Sequence, residues 1–281
     1  MLFSKKNALR VAYRLTHKSL EPKLDWIKKQ INIDLVPISD AQPDLPVLRI
    51  TKNNLILEYG GQALFFHPSM AILRMINLKR GIPDRFLNAV NLTEGDTILD
   101  ATMGLASDAL IAAWAVGTDG QVLAVEYSPL IYLLVKDGLI RLQNESLPRI
   151  NNQEKKSAWQ ELIHAAHRIK LFCANHDQIL KNLPDNSVDV VYFDPMFRKT
   201  VEQSSSIKPL KIFSYPEQLK RETINQACRV ARKRVVLKER KEGGEFERLG
   251  FKSLEGGLYS PVKYGAILLD KSRGNGDCSP L

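Results

Sequence analysis

Residues 97–129, TILDATMGLASDALIAAWAVGTDGQVLAVEYSP, decide the fold. They open with an apolar run, Thr97–Asp100, that ends in an acid, and pass through a turn of small residues around Gly104 and Ala106. A helical stretch beginning at Ser107 follows, and then a second apolar run, Gln121–Glu126, also ends in an acid. Run, turn, helix, run is the βαβ rhythm of a parallel sheet. The runs are rich in Val, Ile and Leu with little polar alternation, as expected when helices cover both faces of the sheet.

The same rhythm extends outward. PLIYLLVKDGLIRL (129–142) reads as a helix, the charged stretch near 145–157 as an insertion or long loop, and Ala158–His167 as a helix. Then come IKLFCAN (169–175), a short helix at Gln178–Leu183, SVDVVYFD (187–194), a long polar loop, the helix Glu217–Ala231, and the runs RVVLKE, FKSLEG and YGAILLD. Only a short link, GGLYSPVK, separates the last two runs, too little for a covering helix, so they are expected to form an antiparallel terminal hairpin. The fold expected is α/β: a seven-stranded, mainly parallel, Rossmann-like sheet with an antiparallel terminal strand. Before it, RVAYRLT, a helix near Pro22–Ile31, VLRITKN and LILEYGGQALFFH suggest a small α/β unit built partly on a hairpin. The expected division is a small unit over 1–68, a main domain over 69–272 and a loose tail over 273–281, with 69–92 as helices that lead into the sheet and cover its edge.

A chain of 281 residues, 44% hydrophobic and 25% charged, has material for a substantial core and is neither a disordered tail nor a disulfide-stapled mini-protein. Cys173, Cys228 and Cys278 are scattered with no CxxC pair, so neither disulfides nor a bound metal are expected. No run approaches a membrane span and the N-terminus lacks a signal-peptide core, so a cytoplasmic protein with no membrane partner is expected. The net charge of +9 is unevenly placed: residues 1–90 carry +7, 91–197 carry −6, 198–252 carry +8 and 253–281 are neutral. An acidic middle between basic flanks suggests a polyanionic partner.

Two sites can be read from the strand ends. In the first, Asp100 closes a strand, and a small-residue turn lets a ligand approach the backbone and the N–H groups of a following helix. One glycine stands where a dinucleotide fingerprint needs three, which disfavours a pyrophosphate cradle. Glu126, 22 residues after Gly104, can accept both hydroxyls of a ribose. Tyr127 either packs against an adenine or is core. Asn175 or Asp177 can hydrogen-bond an adenine amino group, and Asp177 also suits the N-cap of the next helix. The second site is VVYFDPMF, 190–197. A carboxylate, a proline and an aromatic on a strand-end turn can hold a planar amine: Asp194 accepts one N–H, the Pro195 carbonyl a second, and Phe197 stacks on the ring. Proline stiffens the turn.

These loops, in this order, resemble those of class I S-adenosylmethionine-dependent methyltransferases, with DPMF where enzymes that methylate planar nitrogens carry (D/N)PP(Y/F). DATMGLASDALIAAWAVG, VEYSPLIYLLVKDGL, VVYFDPMF and ARKRVVLKER are similar to segments of the small-subunit ribosomal RNA guanine-N2 methyltransferases, while FFHPSMAILRMINLKRG resembles a related branch of predicted methyltransferases. The resemblance implies S-adenosyl-L-methionine as cofactor, S-adenosyl-L-homocysteine as product, and RNA as partner. It also implies cofactor contacts at Ser107, Asp108, Glu126, Tyr127, Asn175, His176 and Asp194; with Asp100, Thr102, Gly104 and Asp177 from the strand ends these make the expected cofactor site, and Asp194, Pro195 and Phe197 the expected catalytic loop. Two positions that are arginine in that family are Ser107 and Tyr127 here, and Arg198 replaces the proline that follows DPMF. Arg198, Lys199, Lys208, Lys211 and Lys238, with Arg232–Arg234, are candidate phosphate contacts. Competing readings are an amino methyltransferase acting on DNA, a protein glutamine or a small amine; a nicotinamide oxidoreductase; and a nucleic-acid-binding module with a vestigial cofactor fold.

Overall fold

In the N-terminal region, alternating apolar residues build a mixed sheet. Strands β1 (Arg10–Leu15), β2 (Asp34–Pro37), β3 (Val47–Ile50), β4 (Leu55–Tyr59) and β5 (Gln62–Phe65) lie in the order β2-β1-β3-β4-β5. β1 runs parallel to β2 and β3, and β3, β4 and β5 form an antiparallel meander. Gly60 and Gly61, both at positive φ (57° and 72°), make the two-residue turn between β4 and β5, where a side chain would be strained. Leu48, Ile50, Leu55, Leu57 and Leu64 are buried from alternate strand positions, together with Leu24 and Ile27 of helix α1 (Glu21–Gln30). The computed structural model describes residues 9–144, 150–195, 213, 218–241, 243–255 and 260–269.

Helices α2 (Ser69–Lys79) and α3 (Arg85–Val90) lead into a second sheet. Its elements follow as β6 (Thr97–Asp100), α4 (Ser107–Ala115), β7 (Gln121–Glu126), α5 (Pro129–Asn144), α6 (Gln153–Ala166), β8 (Ile169–Cys173), α7 (His176–Asn182) and β9 (Val188–Phe193). After β9 come α8 (Arg221–Val230), β10 (Ala231–Arg240), α9 (Glu245–Leu249), β11 (Lys252–Glu255) and β12 (Val262–Leu268). The seven strands are ordered β11-β12-β10-β9-β6-β7-β8. The pairs among β6 to β10 are parallel, and β12 is antiparallel to both β10 and β11. The last strand therefore enters between β10 and β11, one place in from the sheet edge, which a reading of chain order alone does not reveal.

Neighbouring residues on these strands bury to opposite faces. Ile98, Val190 and Val236 join one apolar cluster with α4, α5 and α6, while Leu99, Val191 and Val235 join another with α7, α8 and α9. The first cluster also contains Leu48, Leu57 and Leu64, so the N-terminal sheet and one face of the large sheet share a core. Helix α2 packs on α4 and α6, and α3 on β10, β11 and β12, so 69–92 cover a face as well as the region near an edge. Helix α6 starts five residues before the expected Ala158, because Asn152 caps it by accepting a hydrogen bond from the Lys155 N–H at 2.8 Å. Its exposed first turn carries charge and no apolar stripe. Among the described residues, no helix is long and apolar enough to cross a membrane.

Candidate active site

The strand order reverses at β6: β7 and β8 lie to one side, β9 and β10 to the other. Open α/β sheets bind ligands in the crevice beyond the carboxyl ends of strands at such a point. Here a cavity of about 530 Å³ opens, lined by Thr102, Met103, Gly104, Ser107, Asp108, Glu126, Tyr127, His176, Asp194, Pro195 and Lys238, with Arg74, Asp84, Arg85, Phe86 and Tyr264 on other walls. The turn after β6 is pinned from both sides. Ala101 N–H donates to the Tyr192 carbonyl, Met103 N–H to the Val125 carbonyl, and Asp194 N–H to Thr102 Oγ1 at 2.5 Å. Gly104 (φ 54°) and Ala106 (φ 62°) are both left-handed; alanine is strained there, as at many functional turns. Helix α4 follows directly, with no side-chain cap over its first N–H groups.

Glu126 crosses the floor to meet this turn. One of its oxygens accepts the Gly104 N–H at 3.0 Å and the other the Ser128 N–H at 2.8 Å. Burial outweighs those bonds and pushes its carboxyl up to about 7. Asp100 lies beneath the turn, 2% exposed, and accepts the Thr102 N–H. Burial, with the nearby Asp108 charge adding to it, holds Asp100 well above the ordinary carboxylate range.

Facing Glu126 is an ion network drawn from five elements. Arg74 of α2 forks onto Asp84 at 2.7 and 2.9 Å and reaches Asp108 of α4 at 2.5 Å. Asp84 also caps α3 by accepting the Leu87 N–H, which fixes the fork. Asp108 accepts the Tyr192 hydroxyl at 2.8 Å and the Lys238 ammonium at 3.3 Å, and that ammonium lies 2.7 Å from Asp194 Oδ2. Burial would raise the Asp108 carboxyl, but Lys238 and Arg74 outweigh it and bring it to about 2. Asp194 stays raised: burial and the Asp108 charge exceed the pull of Lys238. Burial opposes the charge on Lys238, yet Asp108 and Asp194 hold the ammonium well above its ordinary range. Among the described residues the cavity walls thus carry four carboxylates and three cations, a balance suited to a cationic ligand.

Residues 65–249 match the family described as "Putative SAM-dependent methyltransferase". The chain belongs to this family. The methyltransferase is 40% identical to YpiP of Bacillus subtilis over 76% of its own length and 78% of that protein. It is 33% identical to Ribosomal RNA small subunit methyltransferase J of Haemophilus influenzae over half of each chain. It is 25% identical to the methyltransferase of the same name from Hydrogenovibrio crunogenus over 79% of its own length and 82% of the other. Its fold matches a crystal structure of a SAM-dependent methyltransferase from Neisseria gonorrhoeae with a TM-score of 0.60, at 20% identity and covering 95% and 99% of the two chains.

S-adenosylmethionine, the cofactor of this methyltransferase, supplies a methyl group activated on a sulfonium. The cavity fits it in chemistry: a buried strand-end carboxylate, an uncapped helix start and a small-residue turn, with, among the described residues, no ring of basic side chains. The structure brings Thr102, Gly104, Ser107, Asp108, Glu126, Tyr127, His176, Asp194 and Pro195 together on its walls. Asp100 is set behind them. Asn175, not Asp177, caps α7, by accepting the Asp177 N–H at 2.7 Å, and Asp177 turns to α8, accepting the Thr223 hydroxyl at 2.6 Å. Neither of these two is among the cavity-lining residues.

The basic cluster read around the fifth strand of the large sheet is divided by that strand. Arg232 pairs with Asp189 and Lys233 with Asp96, and Arg234 donates to the Ala89 carbonyl, all near the amino end of β10. Lys238 lies at the other end, on the cavity wall, where its ammonium meets the Asp108 and Asp194 carboxylates. A strand advances about 3.3 Å per residue, so residues adjacent in sequence part company in space. Phe197, Arg198, Lys199, Lys208, Lys211 and the 273–281 tail lie outside the described residues. Arg74, Asp84, Phe86 and Tyr264 were not foreseen. The only sequence signal for Arg74 is a cation inside the apolar helix SMAILRMINL. Among the described residues, no group of three or more His, Cys, Asp or Glu is arranged to hold a metal ion.

Proposed function

We propose that this methyltransferase modifies an exocyclic amine of a base, guanine N2, in small-subunit ribosomal RNA. The observation that carries the reading is the turn at Asp194–Pro195, which lines the same cavity as Glu126 and is tied to the cofactor-side loop through Thr102. In this reading Glu126 accepts the ribose hydroxyls of the cofactor, and Thr102, Gly104, Ser107 and Tyr127 line its site. Asp194 accepts one amine N–H and the Pro195 carbonyl the other, while Phe197 stacks on the base. The nitrogen lone pair forms the new N–C bond as the methyl bond to sulfur breaks, the sulfonium becomes a thioether, and the nitrogen releases one proton to water. Alignment supplies much of the rate, since the leaving group is good.

A paired guanine would have to leave its duplex to enter such a cavity. Arg198, Lys199, Lys208 and Lys211 are the proposed phosphate contacts that follow the amine loop in sequence, and Arg85, exposed on the cavity wall, is a further one. Residues 1–68 are the proposed RNA-docking unit. The relatives named as small-subunit ribosomal RNA methyltransferases support the choice of substrate. The test is transfer of a labelled methyl group to small ribosomal subunits from a strain lacking this protein, with mass spectrometry of the digested RNA. One N2-methylguanosine gained is expected. Label recovered in DNA, protein or a small amine, and none in RNA, would replace this substrate.

A further inference from the structure

Lys238 is assigned to nothing by the reading above, yet among the described residues it is the cation nearest the proposed amine acceptor. Its Nζ lies 2.7 Å from Asp194 Oδ2 and 3.3 Å from Asp108 Oδ2, near the carboxyl end of β10 and on the cavity wall. Asp108 is in turn fixed by Arg74 and by the Tyr192 hydroxyl. We propose that Lys238 is a positioning residue, which grips the Asp194 carboxylate by one oxygen, Oδ2, and leaves Oδ1 to accept the amine N–H.

Three features argue against a purely structural ion pair. A partly buried lysine between carboxylates is a poor way to stabilise a fold, since a well-packed apolar side chain commonly does as well or better. The grip falls on a strand-end turn, where, among the described residues, the other hydrogen bond holding Asp194 is that of its backbone N–H to Thr102 Oγ1. Finally, the pair lies on the cavity wall, with the Lys238 and Asp194 side chains 21% and 28% exposed, and is not sealed in the core. The titratable and charged groups around Lys238 are Arg74 on α2, Asp108 on α4, Asp100 on β6, Tyr192 on β9, Asp194 after β9, and Tyr264 on β12.

This inference rests on Asp194 as amine acceptor, and its first test needs no substrate. Aspartate 13C-carboxyl resonances are titrated in the full-length protein, with Asp194→Asn identifying the Asp194 signal. In Lys238→Met the Asp194 midpoint is expected to rise by at least about one pH unit, and in Lys238→Arg to stay near wild type. An unmoved midpoint in a folded Lys238→Met protein overturns the proposal. The second test is labelled-methyl transfer to small ribosomal subunits from a strain lacking this protein. Lys238→Met is expected to lower kcat about 10²-fold with cofactor Kd within about twofold, and Lys238→Arg to recover most of the loss. Unchanged kcat in Lys238→Met also overturns it. If the wild-type protein itself leaves those subunits unmethylated, the substrate assignment fails, and the titration alone decides the role of Lys238.

Discussion

Glu126 is a carboxylate that the fold keeps short of water. Its pKa is ordinarily 4.5 and about 7 in the folded chain. Between those values the folded protein holds a proton the unfolded chain has released, so stability falls as pH rises through this window, by roughly 3 kcal/mol at most. Glu126→Gln keeps one of the two acceptor oxygens. It is expected to stabilise the cofactor-free protein by about 1–2 kcal/mol at pH 8 and not at pH 4, measured by urea unfolding. If ionised Glu126 receives the ribose hydroxyls, cofactor Kd should rise about tenfold per pH unit below 7. Calorimetry checks this, and Glu126→Gln should flatten the slope. Asp194→Ala should lower turnover on the order of 10²-fold or more with the fold intact, followed by labelled-methyl transfer and circular dichroism. Glu126 and Asp194 were legible because each ends an apolar run. Lys238 was read only as a phosphate contact, because its partner Asp108 stands 130 residues away and no local pattern announces the meeting.

At the scale of elements, β6 to β9 were readable from buried Val, Ile and Leu, since a strand covered on both faces needs no polar alternation. The placing of β12 between β10 and β11 was not, because it follows from which edge the hairpin docks on and not from its own composition. Helix α5 was also legible, yet one residue in it reads wrongly from propensity. Gly138 in a helix interior invites replacement by alanine, worth about 1 kcal/mol in an exposed helix. A Cβ there would come 2.0 Å from Cδ1 and 2.7 Å from Cβ of Phe66, and the latter, fixed to the backbone, cannot swing aside. Gly138→Ala is therefore expected to destabilise by about 1–3 kcal/mol, measured by urea unfolding. Equal or greater stability would show that Phe66 moves freely.

At the scale of the molecule, the charge asymmetry of the sequence divides into parts the fold treats differently. Of the acids of 91–197, Asp100 and Glu126 end strands and Asp194 directly follows one at the cavity, while Asp96 and Asp189 pair with Lys233 and Arg232 at the opposite rim of the sheet. The sequence suggested a separate N-terminal unit because its strand pattern differs; the shared core was invisible because the contacts that make it are long-range. Leu48 and Leu57 bury in one cluster with Leu110 and Ile131, and Lys23 of α1 reaches Asp137 of α5 at 2.8 Å. Thermal unfolding is accordingly expected to be one cooperative transition, with matching calorimetric and van't Hoff enthalpies. Two separate transitions would show that the sheets melt independently. The welded core has a further consequence for the proposed docking role of residues 1–68. An RNA held there while offering its amine to the cavity must bridge a span that the protein alone dictates. Recognition then works as a caliper does, passing only a folded RNA whose grip point and target lie at the set width, whatever bases lie between.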